Sequence, residues 1–234
     1  MTRDQIQRRL EDAFRRFLGA SAVTSNGLVP ATVSEGKLYE AYVLSLIVEH
    51  LTIDEGYSLT LVGGTRVQLK TSGGPINRDY PRIELQLGGA NVAELWTDIE
   101  FLSLSYCTRW KQNRTPRSLF VRPRVTKGDF HELDIVVVEA GTQGRPQYDA
   151  LWLGVECKNT GYEKGLLREI LGVRRELSLL QEPQATKFGK WPRTRIPADP
   201  PSCLLVYSTD ARVQDYAAPG EMFGIDFFYE PIRV

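Results

Sequence analysis

Two apolar runs separated by a short turn constrain this chain more than any other feature. They are His131-Glu132-Leu133-Asp134-Ile135-Val136-Val137-Val138 and Leu151-Trp152-Leu153-Gly154-Val155-Glu156-Cys157-Lys158-Asn159. Continuous apolar stretches of this length suit strands covered on both faces. The connection Gly141-Thr142-Gln143-Gly144-Arg145-Pro146 carries turn residues, so the two runs are expected to form a hairpin. A turn centred on Arg145 sets Asp134 opposite Glu156. Side chains alternate along a strand, which puts Glu156 and Lys158 on one face and Cys157 on the other. An acid and an amine at the end of a core strand are either a surface pair emerging into solvent or part of a site, because unpaired charge near a dry interior is costly.

The remaining elements follow from periodicity. Residues 2 to 18 read as an amphipathic helix, with Ile6, Leu10, Phe14 and Leu18 on one side and Arg8, Arg9, Arg15 and Arg16 around them. Residues 20 to 33 are small and polar and read as a linker, which divides the chain into an N-terminal helix with linker, 1–33, and a main domain, 34–234. A second helix is expected from Ser34 to about Leu51. In it Glu40 lies along an apolar face beside Val43 and Leu44, so its carboxylate pairs with Lys37, lies exposed in the first turn or serves a site. Strand-like stretches follow at 57–62, 65–70, 81–87 and 93–101, separated by glycine pairs. The last carries Glu94, Thr97, Asp98 and Glu100, with Asp98 and Glu100 expected on one face. Residues 162 to 181 read as a third helix with Leu166, Leu167, Ile170, Leu171, Leu177 and Leu180 inward, ended by Pro183. Strands at 203–207 and near 226–229 close the chain. This order implies an α/β fold of the α+β type, a mixed central β-sheet flanked by helices.

The formal charge of the 234 residues balances to zero, so affinity for an anionic partner has to come from local clustering. Two basic loops provide it. Residues 102–127 hold no acid and supply Arg109, Lys111, Arg114, Arg117, Arg122, Arg124 and Lys127, interleaved with Tyr106, Trp110 and Phe120. The second, 182–201, includes Lys190, Trp191 and Arg193. Cations with aromatic surfaces suit nucleic acid, and a solvated loop has the same composition. The cysteines Cys107, Cys157 and Cys203 match no zinc spacing and suggest buried thiols in a reducing compartment. Met1-Thr2-Arg3-Asp4 opens a charged segment and no apolar run has the length of a membrane span, so the expectation is a cytoplasmic protein without a membrane partner.

Asp134 followed by Val155-Glu156-Cys157-Lys158-Asn159 resembles the signature of the PD-(D/E)XK nuclease superfamily. Glu40 matches the acid that many members carry on the helix before the sheet. The likeness in element order covers residues 34 to 208, and the chain departs from the pattern in having Leu133, not proline, before Asp134. The resemblance implies a restriction-endonuclease-like core and Mg²⁺-dependent phosphodiester hydrolysis, with Mn²⁺ as a substitute ion. It implies endonucleolytic cleavage of nucleic acid, DNA favoured over RNA, in a restriction or phage-defence setting. It assigns Asp134, Glu156, Lys158 and Glu40 to catalysis and Asp134, Glu156, Glu40 and the Cys157 carbonyl to the metal, with Asp98 the alternative to Glu40. A hard ion held by carboxylates is consistent with that chemistry. If Lys158 serves as base, its pKa has to be depressed. Specificity would come from the basic loops, a homodimer or a partner protein, and the alternative is an inactive nucleic-acid- or nucleotide-binding module on the same fold.

Overall fold

The computed structural model describes residues 3–19, 34–70, 72–112, 125–161 and 163–232. Helices α1 (Arg3–Leu18) and α2 (Glu35–Ile53) come first, followed by strands β1 (Ser58–Val62), β2 (Arg82–Leu87) and β3 (Ala90–Leu102). Helix α3 (Leu104–Gln112) precedes β4 (Phe130–Glu139) and β5 (Leu151–Lys158). Helix α4 (Lys164–Leu177), β6 (Leu179–Ala185), β7 (Arg195–Asp199), β8 (Cys203–Ser208), α5 (Ala217–Phe223) and β9 (Ile225–Tyr229) complete the order. Seven strands form one mixed sheet in the order β1-β2-β3-β4-β5-β8-β9, and β6 and β7 pair separately. The strands from β1 to β5 are antiparallel neighbours, whereas β5-β8 and β8-β9 are parallel. The α/β class and the mixed sheet between helices are as expected.

Each face of the sheet is sealed by its own apolar cluster. On one face α1 and α2 cover Ile83, Leu85, Leu95, Ile135, Val137, Leu153, Val155 and Leu205. On the other, Ile170, Val173 and Leu177 of α4 pack on Trp96, Val136, Val138, Leu204 and Val206. Helix α2 therefore lies over the sheet with Ser34 capping its start, where the Ser34 hydroxyl accepts from the Lys37 N–H at 3.3 Å. Ile6, Leu10, Phe14 and Leu18 of α1 belong to the same buried cluster, so this helix is built into the domain that the linker was expected to separate it from.

Several expected elements take another form. Residues 65–70 form no strand, although Val67 and Leu69 pack on the α2-side cluster: their alternation reflects one buried face without a ladder. The third helix stops at Leu177, and Leu180 lies on the exposed strand β6 instead of facing inward. The stretches read as basic loops contain α3 in the first case and the β6-β7 pair in the second.

Candidate active site

The site is built where the start of β4 meets the end of β5. The β4-β5 ladder pairs Val137 with Leu153, Val136 with Gly154 and Ile135 with Val155. One further step in the same register brings Asp134 to Glu156. The ladder does not take that step: an Asp134 carboxylate oxygen accepts the Cys157 backbone N–H at 2.6 Å, so the side chain takes over a strand-end donor. Gly154 lets Leu133 pack close by, because a Cβ there would lie 2.7 Å from Leu133 Cδ1 and make that side chain shift.

A break in strand alternation brings a third element in. In β4 Leu133 belongs to the α4-side cluster and Ile135 to the α2-side one, although strict alternation would place them together. In β3 the same happens between Leu95 on the α2 side and Ile99 and Phe101 on the α4 side. The β3-β4 ladder pairs Thr97 with Ile135 and Ile99 with Leu133, and the skipped positions are Asp98 and Asp134. Asp98 has φ +53°, in the left-handed region that costs a non-glycine residue energy and that recurs at functional sites. The paired irregularity lets both acids reach α2. There Glu40, Asp98 and Asp134 each present an oxygen, and these atoms lie within 4.8 Å of one another.

Two lysines attend the acids. The Lys37 ammonium donates to Glu40 at 2.6 Å and to Asp98 Oδ1. Lys158 lies 2.8 Å from Glu156, with Glu169 of α4 at 3.9 Å. Asp98 is 0% exposed, and among the described residues its Oδ2 makes no hydrogen bond of regular geometry, with the Lys70 backbone N–H near the carboxylate. A buried carboxylate oxygen without a well-formed hydrogen bond carries a desolvation cost that a bound cation would remove.

The acids titrate as crowded, desolvated groups. Burial raises Glu40 to about 7, with Asp134 and Asp98 adding to the shift and Lys37 opposing it. Burial also raises Asp98 against the pull of Lys37 and Lys70. Asp134 rises through burial, partly offset by the Cys157 N–H and Lys158. Glu156 rises through burial and the neighbouring Asp134 charge. Burial works against the charge on Lys158, but Glu156, Glu169 and Asp134 outweigh it and its pKa stands above the ordinary lysine value. The depressed lysine that a base would need is therefore replaced by a firmly held cation.

Among the expected site residues, Glu40 and Asp134 meet at the carboxylate group, and Asp98 is its third member. Glu156 and Lys158 form an adjoining pair, tied to it through Asp134. Cys157 enters through its N–H, and its strand position pairs with Tyr207 of β8. The other β3 acids serve the fold: Glu94 receives both terminal nitrogens of Arg78 at 2.7 and 3.0 Å, and Glu100 receives Arg145 at 2.7 Å.

The basic residues are spread away from the acids. Arg109 pairs with Asp129, Lys111 lies 4.0 Å from Asp149, and Lys127 is exposed in a 3₁₀ turn. Arg114, Arg117, Arg122 and Arg124 lie outside the described residues. The second loop is anchored at the far end of α2, where Glu55 accepts the backbone N–H groups of Gly189, Lys190 and Trp191. Trp191 stacks on His50 with ring centroids 4.4 Å apart, and Arg193 is engaged with Asp226. Ten helical residues separate His50 from Glu40, roughly 15 Å along the axis. The geometry does not bring Lys190, Trp191 or Arg193 to the acids.

Only oxygen donors make up the three-carboxylate group, which suits a hard ion such as magnesium or manganese and not a thiolate- or imidazole-seeking metal. The buried Asp98 carboxylate fits the same ion. No helix among the described residues is long and apolar enough to cross a membrane. Comparison with protein-family models, with curated proteins and with solved structures finds no match to this chain.

Proposed function

We propose that the protein is a divalent-cation-dependent nuclease that hydrolyses phosphodiester bonds, with magnesium as the working ion and DNA as the favoured substrate, on a restriction-endonuclease-like core. The observation that carries this reading is the convergence of the Glu40, Asp98 and Asp134 carboxylates, Asp98 being wholly buried, next to the Glu156-x-Lys158 strand end. Asp98, Asp134 and Glu40 would hold the ion, with Glu156 beside them. When bound, such an ion polarises a phosphoryl oxygen and lowers the pKa of water. Beside Glu156, at 2.8 Å, Lys158 would present positive charge where negative charge grows on the phosphate. Asp134 fixes the strand end through the Cys157 N–H and holds the two halves of the site in register.

The test is cleavage of a panel of single- and double-stranded DNA and RNA with Mg²⁺ or Mn²⁺. The native protein should cut at least one member, and Asp134→Asn and Lys158→Ala should each lower the rate by about 100-fold or more. Absence of ion-dependent cleavage across the panel would overturn the proposal. One observation favours a second reading, an inactive nucleic-acid- or nucleotide-binding module: the Lys37 ammonium already bridges Glu40 and Asp98. Under that reading the protein binds nucleic acid or nucleotide, cuts nothing, and Lys158→Ala leaves binding unchanged.

A further inference from the structure

Lys37 is a cation seated on the acidic site to which the nuclease reading gives no part. It stands in the first turn of α2, its backbone held by Ser34, and its side chain is 21% exposed, so the stem has a path to water. Its ammonium occupies two of the three carboxylates that would hold the ion, Glu40 at 2.6 Å and Asp98 through Oδ1.

The arrangement is undercompensated for an ordinary structural salt bridge. Lys37 is the ammonium that bonds both Glu40 and Asp98, Asp134 is served by the Cys157 N–H, Asp98 is wholly buried, and its second oxygen makes no regular hydrogen bond among the described residues. A lysine headgroup is a compact point charge with three donors on a flexible stem, and it can neutralise such a cluster without satisfying every oxygen. A small divalent ion needs several oxygens around it at close range, which an ammonium hydrogen-bonded to the same oxygens denies by charge and by space.

Resting on the metal-site reading above, we propose that the Lys37 ammonium and the divalent cation compete for the Glu40 and Asp98 carboxylates. Binding of the ion releases Lys37 toward solvent, and Lys37 sets the ion concentration at which the site loads. Without the ion Lys37 keeps the acids assembled. With it, the freed ammonium stands at the rim of the same site.

The decisive measurement is Mn²⁺ affinity, read from the electron paramagnetic resonance signal of free Mn²⁺, for the native chain and for Lys37→Met. The variant should bind Mn²⁺ about tenfold more tightly or better, since the ion no longer displaces two charge-assisted hydrogen bonds. Equal or weaker binding by the variant, with the native chain binding normally, would overturn the competition and leave the nuclease reading in place. If neither protein binds Mn²⁺, the metal-site reading falls and the competition falls with it. A second measurement needs no variant: limited acetylation of native protein followed by mass spectrometry. Saturating Mn²⁺ should increase modification of Lys37 at least about threefold relative to chelator, a shift well beyond the change expected for a side chain that stays paired. Unchanged or reduced modification under saturating Mn²⁺ would overturn the proposal.

Discussion

A carboxylate crowded among others is comfortable only while it keeps its proton or has a cation, and at Glu40 those two conditions can be separated. Its pKa is raised from 4.5 to about 7, chiefly by burial. A raised acid in the folded state means that the folded chain holds a proton the unfolded chain gives up. The corresponding stability is complete below pH 4.5 and is lost as pH rises to about 7. In chelator, the urea midpoint should therefore fall across that interval, and Glu40→Gln should flatten the fall. Mn²⁺ should restore the midpoint at the upper end in the native chain but not in the variant. A native-minus-variant difference that stays constant between those pH values would show that Glu40 does not titrate there. Residue identities at the site were partly legible in the sequence: Glu40 drew notice as an acid on an apolar helix face, and Asp134 through its position opposite Glu156. Asp98 is legible as one of several strand acids and as the alternative to Glu40, not as its companion in one carboxylate group. Its inclusion depends on a left-handed backbone and a break in alternation that the sequence hides, because Ala93, Leu95, Ile99 and Phe101 keep one parity while the fold puts the first two and the last two on opposite faces.

Hairpin register is a local property, which is why β4 and β5 could be paired from the chain alone: a short connection and two apolar runs leave little freedom. Position relative to distant elements is not local. Nothing in Lys187-Phe188-Gly189-Lys190-Trp191-Pro192-Arg193 says that Glu55 will take its backbone N–H groups or that His50 will stack on its tryptophan. Composition suggested a nucleic-acid loop, whereas the contacts make it a clasp closing on the end of α2. Trp191→Ala should therefore lower the stability to urea by about 1–3 kcal/mol, less than the loss from a fully buried tryptophan, and leave Mn²⁺ affinity unchanged. Nucleic-acid binding lost at unchanged stability would return the loop to the role that its composition suggested. The missing strand at 65–70 teaches the same lesson, since alternating Val67 and Leu69 record a buried face and carry no information about a neighbouring ladder.

At the scale of the molecule, the question is whether α1 is an appendage or a wall of the core. The polar stretch 20–33 suggested the first, because an amphipathic stripe tells which face is apolar and not what covers it. In the fold, Ile6, Leu10, Phe14 and Leu18 are 3%, 0%, 1% and 7% exposed and lie in one cluster with α2 and the sheet. Arg9 lies 5.0 Å from the ring of Tyr42, whose hydroxyl donates to Glu230 near the chain's last described residues. Burying four such side chains contributes about 1.5–3 kcal/mol each, an upper range of about 6–12 kcal/mol that is comparable with the whole stability of a typical domain. A chain beginning at Ser34 should then fail to fold cooperatively, and Phe14→Ala in the full chain should cost about 3–5 kcal/mol. Circular dichroism through a urea titration reads both. The consequence reaches the site, because α1 presses α2 onto the sheet and α2 carries Lys37 and Glu40. A shortened chain that unfolds cooperatively with native stability and binds Mn²⁺ normally would show that the sheet alone positions α2, and that α1 only covers a face the rest of the fold can leave open.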